Sequence, residues 1–225
     1  MPQTVTARAA LFDMDGTLVN STAVVERIWL EWARPHRLDP ETVLSVVHGR
    51  QGHLSMAILL PDRPHQQNID ENQALLARES ADVTGVVAIP GAADILTAIT
   101  GHPHALVTSA DVPLMTARMS AAGLRIPDQI VTAEDVSASK PDPEGFLRAA
   151  RMLGASPEDC IVFEDSGAGI QAGLAAGMRV IGVGGHAAAH QPSYLVDDLT
   201  QITLSPAPEG FTLTLHPSAL NSAPD

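Results

Sequence analysis

Short apolar runs alternate with longer stretches of helical spacing along this chain. Ala9 to Phe12, Ala105 to Val107, Gln129 to Thr132, Ile161 to Phe163 and Val180 to Val183 are brief and mostly aliphatic, and they read as buried strands. The segments between the later strands carry a helical period. Asp142 and Pro143 suit an N-cap and a first helical position, Gly154 suits the stop of that helix, and Gly177 closes the run Ala168 to Ala176. Strands alternating with helices predict an α/β protein with a parallel sheet covered on both faces.

The stretch from Thr22 to Val87 has only helical signals. Val24, Val25, Ile28, Trp29 and Trp32 fall on one face; Val43, Leu44 and Val47 fit a second helix; Met56 to Leu60 and Ile69 to Leu76 fit two more. This predicts an all-helical cap domain over residues 21–87, inserted into a core made of residues 1–20 and 88–225, with hinges at Asn20-Ser21 and at Ala88 to Pro90. From Ser205 onward the chain is rich in Pro, Ser and Ala. Phe211 to Leu215 alternates as an edge strand would, and the rest of the tail is expected to be poorly ordered.

Composition narrows the function. The 225 residues are 45% hydrophobic but only 3% aromatic, so aliphatic side chains must fill the core of one domain, or of a domain carrying a smaller one. The formal net charge of -13 opposes binding to nucleic acid or to an anionic membrane. It would equally repel a phosphorylated substrate, so a phosphate site needs local positive charge or a metal. The single cysteine, Cys160, allows no intrachain disulfide and is expected to pack as a small buried residue. Asp13 and Asp15 interrupt the first apolar run, which removes a secretory pattern, and no run is long enough to span a bilayer. These features predict a cytoplasmic protein.

Ligands of open α/β sheets bind beyond the carboxyl ends of the strands. Asp13-Met14-Asp15-Gly16-Thr17 follow the first strand, Thr108-Ser109 the second, Lys140-Pro141 lie past the third, and Glu164-Asp165-Ser166-Gly167 follow the fourth. Taken singly, each has an ordinary explanation as turn, cap or solvated loop. Together, in this order, they supply what phosphoryl transfer to a carboxylate requires. Asp13 is the candidate nucleophile, Asp15 the acid and base, and Lys140 a point charge that offsets anion–anion repulsion. Ser109 and backbone N–H groups can hold phosphate oxygens, and Gly16 permits a tight turn. Mg²⁺, a hard cation with a taste for oxygen, can bridge the attacking carboxylate and the phosphate.

Phe12-Asp13-Met14-Asp15-Gly16-Thr17-Leu18 resembles the first motif of the haloacid dehalogenase-like hydrolases. Thr108-Ser109 resembles the second, Lys140-Pro141-Asp142-Pro143 the third and Phe163-Glu164-Asp165-Ser166 the fourth. The resemblance implies a Rossmann-like, doubly wound core with a helical cap. It also implies Mg²⁺ held by the Asp13 side chain, the Asp15 carbonyl and Asp165, with Glu164 nearby, and phosphate held around Gly16, Thr17, Thr108 and Ser109. Val47-His48-Gly49-Arg50, Ile89-Pro90-Gly91-Ala92 and Val131 to Val136 are similar to the branch of sugar, glycerol and 2-deoxyglucose phosphatases. A small phosphorylated sugar or polyol is the substrate implied, and a monomer the assembly.

Asn20-Ser21 departs from the Asp-Ser pair usual in the family, a change expected to affect the hinge and not the chemistry. Asp15 argues against dehalogenation, and a Thr22 to Val87 segment without lysine argues against Schiff-base phosphonate cleavage. The competing reading is a β-phosphoglucomutase-type enzyme. Its cap histidine is missing, the neighbourhood reading Val24-Val25-Glu26, although Arg50 could hold a second phosphate. An inactive binding protein is a further alternative, opposed by Asp13, Asp15, Lys140 and Asp165 all being present. His48 and Arg50 are the cap candidates for substrate contact, and Trp29 and Trp32 are expected to be cap core.

Overall fold

The computed structural model describes residues 2–216. Its centre is a six-stranded parallel sheet in the order β6-β5-β2-β7-β8-β9. These strands are β2 (Ala9–Phe12), β5 (His104–Val107), β6 (Gln129–Val131), β7 (Cys160–Glu164), β8 (Arg179–Val183) and β9 (Tyr194–Val196). All five runs expected as strands are present, and β9 joins them. The chain moves outward from β2 in both directions, so β2 marks the switch point where an open sheet leaves a crevice at its carboxyl edge.

Side chains alternate across this sheet. Leu11, Val107, Val162 and Val180 face one layer, where they pack with Phe146 of α7 (Glu144–Met152) and Ile170 of α8 (Gly167–Ala175). Ala10, Phe12, Leu106, Ile161, Phe163 and Ile181 face the other, toward α5 (Ala92–Ala98) and α6 (Val112–Ala121). The Phe12 and Phe163 rings stack with centroids 4.5 Å apart on neighbouring strands. The stops lie at the expected glycines: Gly154 and Gly177 follow α7 and α8 with φ of +65° and +77°. The start of α7 is shifted, because Pro143 takes the N-cap position; Asp142 Oδ1 accepts from the Glu144 N–H at 2.9 Å.

Four helices lie between β3 (Val19–Asn20) and β4 (Val87–Ala88): α1 (Thr22–Ala33), α2 (Pro40–Leu44), α3 (Gly52–Leu59) and α4 (His65–Ala81). β3 and β4 pair antiparallel, so entry and exit of the helical insertion form one two-stranded ribbon. Val24, Val25, Ile28, Trp29 and Trp32 are all buried on α1, as the spacing predicts. The second helix is shorter than expected. It ends at Leu44, and Val47 is buried from the turn beyond it. No helix among the described residues is long and apolar enough to cross a membrane.

The tail departs most from expectation. Phe211 to Leu215 is not at an edge. It belongs to β11 (Gly210–Leu215), the middle strand of an antiparallel sheet between β1 (Gln3–Ala7) and β10 (Ile202–Ala207). Ser205 to Ala207, expected as tail, is in β10; residues 217–225 lie outside the described residues. β11 buries Phe211, Leu213 and Leu215 against the core, which is why the alternation exists. Truncating Phe211 to Ala should lower unfolding free energy by about 3–5 kcal/mol, whereas Thr212→Ala on the outer face should change it by less than about 0.5 kcal/mol. Denaturant titration of both variants checks this; equal effects would mean that β11 is not a core strand.

Candidate active site

The sheet's carboxyl edge gathers the predicted residues. Asp13 follows β2, and its backbone N–H donates to the Phe163 carbonyl at 3.0 Å, extending the β2–β7 ladder by one residue. Lys140 reaches Asp13 from the loop before α7. The loop is held by Glu144, whose Oε2 accepts from Ser137 N, Ser137 Oγ and Ala138 N. Lys140 Nζ then donates to Asp13 Oδ1 at 2.5 Å, to Glu164 Oε1 at 2.8 Å and to the Val107 carbonyl at 3.2 Å. All three of an ammonium's donors are thus used, inside a site where Lys140 is only 7% exposed.

Burial dominates the electrostatics here. Loss of solvent, with Glu164 and Asp15 nearby, pushes the Asp13 carboxyl up to about 8, against the pull of Lys140. Burial alone would lower Lys140, but the Asp13 and Glu164 carboxylates outweigh it and hold its ammonium above the usual lysine range. Burial also raises Asp165 well above the usual carboxylate range, with Glu164 and Asp13 adding to it. The site is short of positive charge: Asp13, Asp15, Glu79, Glu164 and Asp165 surround Lys140, Arg118 and Arg50.

The residues fit a hard divalent cation. Oxygens of Asp13, Glu164 and Asp165 lie within 4.8 Å of one another. Glu164 is otherwise engaged, because Oε2 accepts from Ser166 N at 2.8 Å and from Ser166 Oγ at 2.9 Å while Oε1 accepts from Lys140. Asp165 Oδ1 is buried with no hydrogen-bond partner among the described residues, and such an oxygen is costly unless an ion or donor meets it. Gly16 makes room for that carboxylate. Its φ is +84°, and a Cβ there would lie 1.9 Å from Asp165 Oδ2.

Over this edge lies a cavity whose lining includes Asp13, Asp15, Arg50, Asn72, Ser109 and Asp165. The insertion touches the core directly. Ser109 Oγ donates to the Gly49 carbonyl at 3.4 Å, Gln51 N donates to Ser139 Oγ at 3.3 Å and Gln51 Nε2 donates to the Ala133 carbonyl at 3.3 Å. Gly49 approaches so closely that a Cβ would fall 2.2 Å from Ser166 Oγ. His48 and Arg50, the cap residues expected to contact substrate, both line the cavity. His48 Nε2 lies 3.7 Å from Glu26, and burial lowers its pKa although Glu26 and Asp15 oppose this.

Other predicted positions have different surroundings. Thr108 lines the cavity, but its Oγ1 accepts from Ala110 N at 3.1 Å, a local turn bond. Thr17 is wholly buried and absent from the lining. Trp29 is core, as expected, yet also forms part of the cavity wall. Cys160 is fully buried on β7, where burial pushes its thiol up to about 11.

Three residues escaped sequence reasoning. Ser21 Oγ donates to Asp15 Oδ1 at 2.6 Å, and Arg118 Nη1 donates to Asp15 Oδ2 at 2.7 Å. Arg118 Nη2 also donates to Glu79 Oε2 at 2.5 Å, so a core helix and an insertion helix share one guanidinium. The available signal for Arg118 was its position as the lone charge in the otherwise apolar and small run Val112 to Ala121.

Comparison with known proteins agrees with this geometry. The chain is 40% identical to hexitol phosphatase A of Escherichia coli over 89% of its length and 95% of that protein. It is 30% identical to glycerol-1-phosphate phosphohydrolase 2 of Saccharomyces cerevisiae over 81% of this chain and 76% of that one. Its fold matches the crystal structure of β-phosphoglucomutase from Clostridium difficile with a TM-score of 0.73 at 22% identity, covering 88% of this chain and 94% of that one. A family model for haloacid dehalogenase-like hydrolases matches residues 7–177, and the chain belongs to that family.

Proposed function

We propose that this protein is a Mg²⁺-dependent phosphatase that hydrolyses a small phosphorylated sugar or polyol through an aspartyl-phosphate on Asp13. The observation that carries this reading is the buried Asp13–Lys140 pair, beside the unpartnered Asp165 oxygen, at the floor of a polar cavity. The hexitol and glycerol phosphatases among its relatives support the substrate class.

In this mechanism residues 21–87 act as a cap over a core of residues 1–20 and 88–225, hinged at the β3–β4 ribbon. Opening admits substrate, and closure excludes water. An Asp13 oxygen attacks phosphorus in line while Lys140 offsets the charge that accumulates. As the P–O bond to the alcohol breaks, Asp15 gives that oxygen a proton. Asp15 then takes a proton from water, whose oxygen attacks the phosphorus of the acyl phosphate and releases inorganic phosphate and the Asp13 carboxylate. Asp13 and Asp165 would hold the metal, which when bound supplies the positive charge the carboxylates leave lacking.

The β-phosphoglucomutase reading is favoured by one feature: Arg50 lines the cavity and makes no ion pair among the described residues. Phosphate release with Mg²⁺ across hexitol, glycerol and sugar phosphates separates the two. Release from a polyol or hexose phosphate is expected. Conversion of β-glucose 1-phosphate to glucose 6-phosphate without release would establish the mutase.

Asp13→Asn should abolish turnover yet, in EDTA, melt at or above the wild-type temperature. The sign follows from linkage. A carboxyl whose folded pKa lies above its unfolded value loses stability as pH rises through that window, and Asn removes the loss. Retained activity would count against the nucleophile's assignment, and a clear drop in melting temperature against an Asp13 carboxyl raised by burial. Mg²⁺ should raise the melting temperature of the wild type, and Asp165→Asn should remove that rise together with the activity. A rise that persists in Asp165→Asn would move the metal elsewhere.

A further inference from the structure

Asp15 is held at both oxygens, and one of its holders ties it to the insertion. Ser21 Oγ meets Oδ1 at 2.6 Å. Arg118 Nη1 meets Oδ2 at 2.7 Å, while Nη2 of the same group meets Glu79 on α4 at 2.5 Å. The Arg118 side chain is 4% exposed and that of Glu79 7%, so neither charge is a solvated surface group. A guanidinium is planar, so its two terminal nitrogens point in fixed relative directions. The direction from which Asp15 Oδ2 is gripped is therefore set by the position of Glu79. Glu79 belongs to the insertion and Arg118 to the core, and only their juxtaposition completes the chain of contacts.

We propose that Arg118 is a positioning residue for Asp15 and that Glu79 completes its action, so that closure of the insertion fixes the orientation of the proton-transferring carboxyl. Ion pairing for stability is a weak explanation of such a group, because buried pairs scarcely offset their desolvation. A mere clasp between insertion and core would not need the reacting carboxylate as its third member. Arg118 touches neither phosphorus nor the leaving oxygen in this scheme; it acts through Asp15. The inference rests on the reading of Asp15 as the acid and base.

The test uses leaving groups. 4-Nitrophenolate departs without a proton, whereas the alkoxide of glycerol phosphate needs one. Single-turnover release of each alcohol is measured with Mg²⁺ for Arg118→Met, Glu79→Gln, Asp15→Asn and the Arg118→Met/Asp15→Asn pair. Arg118→Met should slow glycerol release about 100-fold and leave nitrophenolate release within about threefold. In the Asp15→Asn background it should cost less than about twofold, because groups that act as a unit are not additive. Glu79→Gln, which keeps an acceptor in place, should show the same leaving-group bias at about three- to tenfold. It carries the comparison if Arg118→Met does not fold. Arg118→Lys should not restore glycerol release, since an ammonium lacks the fork. Equal losses on both substrates, or an Arg118 effect that persists in full without Asp15, would overturn the proposal while the role of Asp15 stood. No leaving-group bias in Asp15→Asn would overturn both.

Discussion

Lys140 is the charge around which the carboxyl edge is organised. Four strands end there in acidic or hydroxyl residues, and such a cluster repels itself unless a cation sits within it. The ammonium joins β2 through Asp13, β5 through the Val107 carbonyl and β7 through Glu164. Its geometry in turn depends on the loop pinned by Glu144 and on the Phe146 ring, 5.1 Å from Nζ. Removing the ammonium from such a buried set leaves its carboxylates uncompensated, at a cost of about 3–5 kcal/mol. The catalytic arrangement and the integrity of this edge are therefore one problem with one solution.

One cation does not balance the site, and the remaining deficit explains much else. The elevated Asp13 and Asp165 carboxyls reflect a fold that holds acids together at a buried edge. That is a strained ground state in the electrostatic sense, of the kind functional sites retain at the expense of stability. On the proposed reading, a dianionic phosphate enters a cavity walled by Asp13, Asp15, Glu79 and Asp165 as well as by Arg50 and Arg118, and a divalent ion would favour that entry by its charge.

The sequence carried the strands and their terminal residues because both are local. An aliphatic run followed by Asp13-Met14-Asp15-Gly16-Thr17 can be read within a few positions, and the topology of a parallel sheet brings separate strand ends together. Pairings between distant segments were not legible. β11 becomes a central strand only because Gln3–Ala7, at the other end of the chain, lies against it. Ser21, expected only as part of the hinge, takes the N-cap position of α1, yet its side chain makes no capping bond and donates to Asp15 instead. Glu79 and Arg118 each look like an ordinary helix charge. Their burial arises from α4 packing near α6, a relation between segments 39 residues apart.

These distant contacts are of the kind that can make a rigid core responsive. The core alone supplies Asp13 and Asp165 from strand ends fixed by hydrogen-bonded ladders, and Lys140 from the loop that Glu144 pins. Asp15 differs, since its carboxyl is 31% exposed and its holders come from the start of α1 and from α6, one of them anchored to α4. In the proposed mechanism, attack on phosphorus uses the rigid set, whereas protonating an alcohol uses Asp15, aimed at an oxygen whose position depends on the substrate under the insertion. On that reading, placing the proposed nucleophile on the sheet and coupling the proposed proton donor to the insertion separates those demands. Under the proposed mechanism, hydrolysis and phosphoryl transfer to a sugar would then differ only in which hydroxyl group, that of water or of substrate, the closed cavity holds beside Asp15.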